Sequence, residues 1–248
     1  MVAMPATRRD RLRAELARDL LVTARRLLRR GGPEAVTLAA IARELGITAP
    51  AIYRYYDSRD TLILALARDI VNEVVAALRA AAERHPEDEV GRRLSDLIRA
   101  FPAWARRNTA EFGLVFGPPP PVSGHVQREI NAEWVTAVGE VYGEWYVRWW
   151  RTHPFPVPAE EELDSSLRDQ LDHYRGELRL DALPIGAVLV FLECWSRIYA
   201  STCLEAFAHL SAQFADITPM HERMCQELCD RLEIPYEPRT DLWEEPAS

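Results

Sequence analysis

The sequence contains no lysine, because all 30 of its basic residues are arginine. We interpret this bias as a sign of GC-rich coding. Cysteine is scarce as well: four residues lie in apolar helical patterns without the spacing of a disulfide framework, namely Cys194, Cys203, Cys225 and Cys229. Such a pattern is typical of reduced thiols in a reducing compartment.

Long hydrophobic runs are also missing. The longest stretch without Asp, Glu or Arg is residues 112–127, and four consecutive prolines interrupt it. A helix cannot cross a bilayer over so short and broken a stretch. The N-terminus turns charged within its first ten residues and lacks the apolar region of a secretory signal. We therefore expect a cytoplasmic protein without membrane association.

Signatures of catalysis and metal binding are absent from the sequence too. It has no nucleophile elbow, phosphate loop or zinc signature. His221, Cys225 and Cys229 share one helix face, but the outer two lie about 12 Å apart along the axis, too far for one tetrahedral zinc ion. The run Glu160–Asp164 is typical of a solvated loop or helix start. We predict no catalytic residues, no metal site and no cofactor.

What the sequence does have is a globular composition and an uneven charge. Its 248 residues, 48% of them hydrophobic, suffice for a sizeable core. The net charge of 30 − 38 = −8 argues against a nucleic-acid partner when it is averaged over the chain. Residues 1–60, however, hold 12 Arg and 7 acidic residues (+5), whereas residues 61–248 hold 18 and 31 (−13). This asymmetry predicts that the first segment meets a polyanion, while the acidic remainder repels one.

Hydrophobic residues repeat with the helical period throughout, which predicts an all-α protein. The first helix should end at Arg29–Pro33, and a long fourth helix should run from Asp57 or Ser58 to about residue 84. Further helices are predicted at 89–107, 108–116, 124–151, 160–175, 182–211 and 216–232. We expect a helix-turn-helix DNA-binding domain with a basic arm (1–60), a helical ligand-sensing and dimerisation domain (61–232) and an irregular acidic tail (233–248). The long helix should join the N-terminal three-helix domain to the C-terminal one.

The segment Thr37–Arg59 has the pattern of a helix-turn-helix. Thr37 can cap a short helix that stops at Gly46, and Thr48 can cap a second helix. Hydroxyl groups, arginines and helix N-termini suit phosphates, and the upstream arginines suit the DNA backbone or a minor groove. The predicted DNA-binding residues are Arg8, Arg9, Thr37, Thr48, Ala49, Pro50, Ala51, Tyr53, Arg54, Tyr55 and Arg59.

Direct reading of bases should be modest, because the start of the second helix is Ala49-Pro50-Ala51. Small apolar groups touch thymine methyls but cannot pair with bases in a bidentate manner, so DNA shape should contribute. The alternative interpretation is that Gly46 merely joins two packed helices and that the arginines form a solvated face.

Three stretches carry a family resemblance in one register: Thr37–Ala42 (TLAAIA), Leu45–Thr48 (LGIT) and Ile52–Leu62 (IYRYYDSRDTL). Together, residues 12–75 resemble the N-terminal domain of the tetracycline-repressor (TetR) family. The resemblance implies that Tyr53, Tyr55 and Arg59 grip phosphates and that residues 48–51 face bases.

The chain departs from that family at three positions. Members usually have His or another residue where this chain has Tyr55, Phe in place of Tyr56, and Lys in place of Arg59. Arg59 keeps the charge, so the resemblance implies that its phosphate contact survives.

Farther along, Trp104–Phe116 and Trp195–Ala200 resemble a C-terminal subgroup of the TetR family marked by a Trp…His-Gly motif. Here Tyr199-Ala200 takes the place of His-Gly. This subgroup resemblance is limited to these two short stretches of the chain.

Aromatic residues are concentrated in 134–150, where Trp134, Tyr142, Trp145 and Trp149 share one helix face. Such a face can line a cavity for a hydrophobic or aromatic small molecule. The predicted pocket consists of Trp104, Phe112, Phe116, Trp134, Tyr142, Trp145, Trp149, Trp195 and Tyr199. The alternative is plain core packing.

The last two predicted helices have the pattern of a dimer surface. One stripe consists of Leu189, Leu192, Ser196, Tyr199, Cys203 and Ala206, and the other of Met220, Met224 and Leu228. Two such hairpins can form an isologous four-helix bundle. The alternative is that both stripes pack within their own subunit.

These patterns favour a homodimeric, one-component transcriptional regulator that is not an enzyme. The family resemblance implies a repressor that its ligand releases from DNA. The aromatic helix face favours a small hydrophobic or aromatic effector, and a two-fold dimer suits a palindromic double-stranded operator. Alternatives are a regulator that requires its ligand or has none and, from another class, a helical small-molecule-binding protein or enzyme.

Overall fold

The structure, a computed structural model, describes residues 8–239 apart from Ser211. Four side chains inside helices are outside the description as well: those of Arg9, Asp10, Arg11 and Ala49. The DNA contacts predicted for Arg9 and Ala49, and the tail residues 240–248, therefore lie outside the described residues.

The described part of the chain is helical and contains no β-strand, which confirms the all-α prediction. Ten α-helices follow in order: α1 (Arg8–Ala35), α2 (Leu38–Leu45), α3 (Ala49–Ile52), α4 (Arg59–Ala82), α5 (Val90–Arg107), α6 (Thr109–Phe116), α7 (Gly124–Thr152), α8 (Ser165–Glu177), α9 (Ile185–Ala206) and α10 (Thr218–Arg231). Between α7 and α8, Glu160–Glu162 form a single 3-10 turn. The helix predicted at 160–175 therefore begins later, at Ser165, where the Asp164 carboxylate accepts from the Ser166 N–H (2.8 Å).

The first helix is interrupted where the sequence predicts its end. Gly31 and Gly32 have non-helical backbone angles inside α1, and Gly32 has φ 69°. Glycine adopts that left-handed conformation without steric cost. Pro33 follows in a last short turn, so the regular part of the helix ends at Arg30.

The chain divides into two compact units, each built from two segments. The first unit comprises Met1–Ile70 and Ala110–Glu133, and the second comprises Val71–Thr109 and Trp134–Ser248. Compared with the predicted boundary after residue 60, the first unit thus includes part of α4, α6 from Ala110 onward and the start of α7.

The first unit has an aliphatic core around its first four helices. Fully buried aliphatic residues of α1 to α4 and of the α1–α2 junction include Leu20, Ala24, Val36, Ile41, Ile52, Leu62, Ile63, Leu66 and Ile70. These side chains follow the helical period noted in the sequence, so burial of one face per helix is the main force that assembles the unit.

In the second unit, α5 packs against α9 and α10, and α8 packs against α9. A charged group lies inside this packing: the Arg99 side chain is 0% exposed and forms a bidentate pair with Glu222 (Nε–Oε1 2.7 Å, Nη2–Oε2 3.1 Å). The Ser95 hydroxyl and the Glu237 carbonyl accept further hydrogen bonds from Arg99. Burial opposes the charged guanidinium, but Glu222 outweighs it and raises the pKa of Arg99.

The segment after α10 is irregular, as predicted, but it is firmly attached to the second unit. Ile234 is buried, and the Leu232 carbonyl accepts from the Trp149 indole N–H (2.8 Å). The Tyr236 hydroxyl donates to Glu222 (2.6 Å). The chain therefore closes over the buried Arg99–Glu222 pair.

By length and composition alone, α9 meets the requirements for a membrane span, and it does so alone among the described helices. One of its faces is buried in the second unit, and Glu193 and Arg197 lie near its middle. A core helix of a globular domain has the same properties.

Candidate nucleic-acid interface and ligand site

The supporting helix of the predicted helix-turn-helix is capped as expected. The Thr37 hydroxyl accepts a hydrogen bond from the Ala40 N–H (3.1 Å) at the start of α2. Gly46 ends the helix in the left-handed conformation (φ 64°, ψ 27°). Both local predictions are confirmed, and together they fix where the chain turns toward α3.

The second helix of the motif is shorter than the sequence pattern suggests. Helix α3 covers only Ala49–Ile52, and a turn follows in which the Ile52 carbonyl accepts from the N–H groups of Tyr55 (2.9 Å) and Tyr56 (3.1 Å). Ile52 is fully buried and anchors this segment in the core of the first unit. We refer to residues 48–58 as the recognition segment.

The recognition segment exposes polar groups and small apolar ones. Thr48, Pro50, Tyr53 and Arg54 are exposed, and Tyr53 reaches 55%. Tyr55 is half-buried, and the Arg13 guanidinium lies 5.9 Å from the centre of its ring. Exposed hydroxyl and guanidinium donors can bind phosphate oxygens at the surface.

Several arginines of the first unit are already engaged in ion pairs. Glu44 binds Arg26 and Arg30, and the buried Glu111 binds Arg29 (2.6 Å). By contrast, Arg8, Arg43 and Arg54 are exposed. The excess of basic residues in the first sixty positions is therefore only partly available to a polyanion.

Arg59 differs most from the sequence-based expectation. Its guanidinium donates to three backbone carbonyls, those of Val36 (Nε, 2.9 Å), Pro33 (Nη2, 2.6 Å) and Pro121 (Nη1, 2.6 Å). The side chain is half-buried at the start of α4. The next residue, Asp60, accepts from the Ser123 N–H (3.1 Å), and hydrogen bonding by the side chain and the backbone of Ser123 lowers the pKa of Asp60.

The predicted aromatic pocket is only partly assembled. Four residues of α7 and α9, Trp134, Tyr142, Trp195 and Tyr199, converge and form what we call the aromatic cluster. Trp134 and Tyr199 stack with ring centres 5.8 Å apart, and Tyr142 lies 5.4 Å from Trp195. These four residues stand on one face because they repeat at helical spacing.

The other five predicted pocket residues have the following contacts. Trp145 lies between the guanidinium groups of Arg93 (4.6 Å) and Arg148 (4.5 Å). Trp149 binds the Leu232 carbonyl and stacks on His153, and the Trp104 indole donates to Glu73 (3.1 Å). The two phenylalanines, Phe112 and Phe116, stack on each other in the first unit.

Two small voids of the second unit adjoin the aromatic cluster. Each has a volume of about 20 Å³, and both are lined by Tyr142, Phe191 and Trp195. Such a volume holds about one water molecule. The Tyr142 hydroxyl donates to the Leu97 carbonyl (2.7 Å), and burial raises the pKa of Tyr142 well above its ordinary value. Neither of these two voids admits, as it stands, the small molecule that the sequence predicts.

A larger cleft lies elsewhere in the second unit and was not predicted. It has a volume of about 340 Å³ between the end of α9 and the start of α10, with Arg106 and Glu205 at its polar side (Nε–Oε1 2.6 Å). Its apolar walls include Leu204, Phe214 and Ile217. The sequence does contain apolar residues between α9 and α10 that could have indicated this cleft. Some of them were assigned to the predicted helix 182–211 instead.

The two predicted dimer stripes differ in how deeply their residues are buried. On α9, Leu189, Leu192 and Cys203 are half-buried and Ser196 is exposed, so this stripe is not consumed by the core. On α10, Met224 (7% exposed) and Leu228 (1%) are buried within the second unit itself. The α10 stripe is therefore wrong as a dimer surface, because those positions pack in the core; only Met220 of that stripe is exposed.

The cysteines lie in apolar surroundings, as expected. Cys194 and Cys225 are buried, and burial raises the pKa of each thiol to about 12. A thiol that stays protonated is a poor nucleophile and a poor metal ligand.

Comparison with known proteins agrees with the geometry of the first unit. Residues 20–66 match the sequence model of "Bacterial regulatory proteins, tetR family". The HTH-type transcriptional regulator Rv1816 of Mycobacterium tuberculosis is 32% identical over 114 residues, which are 46% of this chain and 48% of that protein. The chain thus spans about half the length of the curated relatives it matches.

Solved structures are similar over more of the chain. The crystal structure of SCO4313, a candidate regulatory protein, superposes with a TM-score of 0.69 at 27% identity, covering 90% of this chain and 100% of the other. A regulator of the TetR/AcrR family from Thermobifida fusca has a TM-score of 0.54 at 19% identity over 86% of this chain and 96% of its own, which shows a shared fold only.

Proposed function

Since the chain belongs to the TetR family of bacterial transcriptional regulators, we propose that it is a one-component regulator that binds operator DNA through its recognition segment. The observation that carries the proposal is the set of exposed donors on that segment, above all Thr48, Tyr53 and Arg54. Phosphates of the DNA backbone would accept hydrogen bonds from these donors, while Pro50 and Ala51 would contact base edges.

Affinity for DNA should come mainly from phosphate contacts and therefore fall with salt. Few groups on the recognition segment can make bidentate base contacts, so sequence preference should rest partly on DNA shape. The acidic remainder of the chain (−13 over residues 61–248) should discourage contacts outside residues 1–60.

A mobility-shift assay on the DNA upstream of the protein's own gene, at two salt concentrations, tests this proposal. We expect a shift at low salt that weakens at high salt. Arg54→Ala should lower affinity and reduce the salt slope by about one. The matched control is Arg151→Ala, which removes the same charge from an exposed position of the second unit and should change neither quantity.

No shift at low salt would overturn the DNA-binding proposal and favour a helical small-molecule-binding protein. A shift that Arg151→Ala weakens as much as Arg54→Ala would instead place the DNA on the acidic unit.

We further propose that the chain acts as a repressor, in the cytoplasm, and that a hydrophobic or aromatic small molecule releases it from DNA. A homodimer would read a palindrome, with the half-buried α9 stripe in its interface. The effector can shift the protein only by its differential affinity for the two states. Sedimentation of the purified protein would contradict the dimer if it showed a monomer at micromolar concentration.

The preferred effector site is the aromatic cluster, whose rings can stack on a flat molecule. Because the adjoining voids hold only about 20 Å³ each, an effector must displace Tyr142 or Trp195. The cleft of about 340 Å³ at the end of α9 is the second candidate, since its volume already suits a small ligand.

Two variants separate these candidate sites in a thermal-shift screen of flat apolar compounds. Trp195→Ala alters the aromatic cluster, and Ala215→Trp fills the cleft that Ala215 lines. A shift lost only in Trp195→Ala supports the cluster, whereas a shift lost only in Ala215→Trp moves the site to the cleft.

A further inference from the structure

Resting on the proposed DNA binding, we infer that Arg59 positions the recognition segment by clamping three backbone carbonyls and does not serve as a phosphate anchor. The resemblance to the TetR family implies the opposite role for this residue. The geometry of its guanidinium carries the inference.

The three carbonyls that Arg59 binds come from three separate places in the first unit. Pro33 follows the kink of α1, Val36 precedes the cap of α2, and Pro121 ends the run of four prolines between α6 and α7. The donor–acceptor distances are 2.6, 2.9 and 2.6 Å, and each of the three guanidinium nitrogens makes one of the bonds. A single side chain therefore ties the start of α4 to the last turn of α1, to the α1–α2 junction and to the proline loop.

The proline loop needs such a partner for a chemical reason. Four consecutive prolines, residues 118–121, offer carbonyl acceptors but no N–H donors of their own. Arg59 supplies a donor to Pro121, and Asp60 accepts from the N–H of Ser123 on the other side of the loop (3.1 Å). Two adjacent residues of α4 thus hold the loop through complementary hydrogen bonds.

The clamp lies directly beside the recognition segment in the sequence. Residues 53–57 form an irregular turn, and Ser58 is the last residue before α4. Their placement depends on where α4 begins relative to α1 and α2, and Arg59 fixes that relation through Pro33 and Val36. Loosening the clamp should displace the exposed donors from phosphate positions.

Lysine cannot replace this clamp. An ammonium group is a compact point donor, whereas the guanidinium presents its N–H groups as a planar fork that can reach three acceptors at once. Because the chain contains no lysine anywhere, the presence of arginine here proves nothing by itself. The three hydrogen bonds distinguish the two roles.

The test compares Arg59→Lys and Arg59→Ala with the wild type on a duplex that the wild type selects from random-sequence DNA. If Arg59 is a clamp, both variants should lose at least about tenfold in affinity, the equivalent of one charged hydrogen bond. The salt slope of Arg59→Lys should stay at the wild-type value. If Arg59 held a phosphate, Arg59→Lys would keep its affinity and Arg59→Ala would lower the salt slope by about one; that pattern overturns the inference.

A matched variant tests whether Arg59 only stabilises the fold. Leu64→Ala truncates a buried residue of α4 in the same unit, and affinities are measured well below every melting temperature. A positioning role predicts weaker DNA binding for Arg59→Lys but not for Leu64→Ala. Equal affinities for wild type and Arg59→Lys under these conditions would contradict it.

A second variant tests the clamp without touching Arg59. Ser123→Pro removes the N–H that Asp60 accepts and changes no charge. It should weaken DNA binding at an unchanged salt slope, and unaltered affinity would count against the loop's role. If the wild type selects no duplex at all, the proposed function fails, whatever Arg59 does.

Discussion

The recognition segment and the aromatic cluster use tyrosine in opposite ways. Tyr53 is 55% exposed, whereas Tyr142 is 4% exposed and its hydroxyl donates to the Leu97 carbonyl (2.7 Å). An exposed hydroxyl can bind a partner at once, but a buried one must first give up an internal hydrogen bond. A ligand of the interior therefore competes with the protein's own contacts, and a ligand of the surface does not.

The two regions also differ in how far apart their contacts lie in the sequence. The helix caps that shape the recognition segment join residues within a few positions, as in the bond from the Ala40 N–H to Thr37. The interior of the second unit joins distant residues, such as Arg99 and Glu222. Substitutions that break distant contacts should cost more stability than substitutions in local turns, and four measurements can test this.

The largest loss should follow Arg99→Met, which leaves Glu222 without its buried partner. Removing one member of a buried pair costs about 3–5 kcal/mol of unfolding free energy. Urea denaturation followed by tryptophan fluorescence suits this test, since the six tryptophans among the described residues all belong to the second unit. As a control, Arg92→Ala removes an exposed cation and should leave stability unchanged. An equal loss in the two variants would refute the distinction.

The second-largest loss of unfolding free energy in the second unit is expected at alkaline pH. Burial raises the pKa of Tyr142 well above 10 and the pKa values of Cys194 and Cys225 to about 12. These acids stay neutral in the folded state, so their stabilisation is complete below the unfolded-state values of about 9 to 10 and declines as pH rises above them. Each group should contribute on the order of 1.4 kcal/mol per pH unit. Unfolding under reducing conditions between pH 8 and 11 measures the slope, and a flat profile would contradict the burial of these groups.

Gly186→Ala probes a close approach between distant segments. A Cβ at this position would lie 2.1 Å from the Pro158 carbonyl oxygen, so the backbone must shift. Overpacking of this kind costs about 1–3 kcal/mol. A melting temperature equal to that of the wild type would show that the two segments separate without cost.

The smallest loss is expected for Gly46→Ala in the helix-turn-helix. Its φ of 64° disfavours a Cβ, but apart from the two adjacent residues in the chain no atom lies within 4 Å of the added group. The left-handed conformation alone should cost about 1 kcal/mol. Calorimetry can compare it with Gly46→Asn, which tolerates that conformation better; a larger loss for the asparagine variant would contradict a purely conformational cost.

Local features of the fold were predictable from sequence, whereas the partners of long side chains were not. Thr37 and Gly46 act on their own helix, so their residue types suffice to predict the caps. The partner of Arg59 at Pro121 is 62 residues away, and no local pattern indicates it. The same limit explains the dimer stripe: helical spacing places Met224 and Leu228 on one face but does not reveal that the face is buried.

The aromatic pocket shows this limit at the level of a site. Spacing along α7 correctly places Trp134 and Tyr142 together, and both reach α9. Trp145 continues the same stripe, yet Arg93 and Arg148 enclose it. A helix of 29 residues extends past several neighbours, so residues that share its face need not share a site.

The division of each unit into two segments affects the order in which this protein can fold during synthesis. Arg59 leaves the ribosome long before Pro121, so the clamp cannot close until the proline loop has been made. Arg99 likewise waits for Glu222 and for the Glu237 carbonyl. A nascent chain that ends near residue 70 therefore carries every helix of the helix-turn-helix while the Pro121 acceptor of Arg59 is still missing. The earliest element in the sequence should acquire its final shape only after half of the chain has been translated.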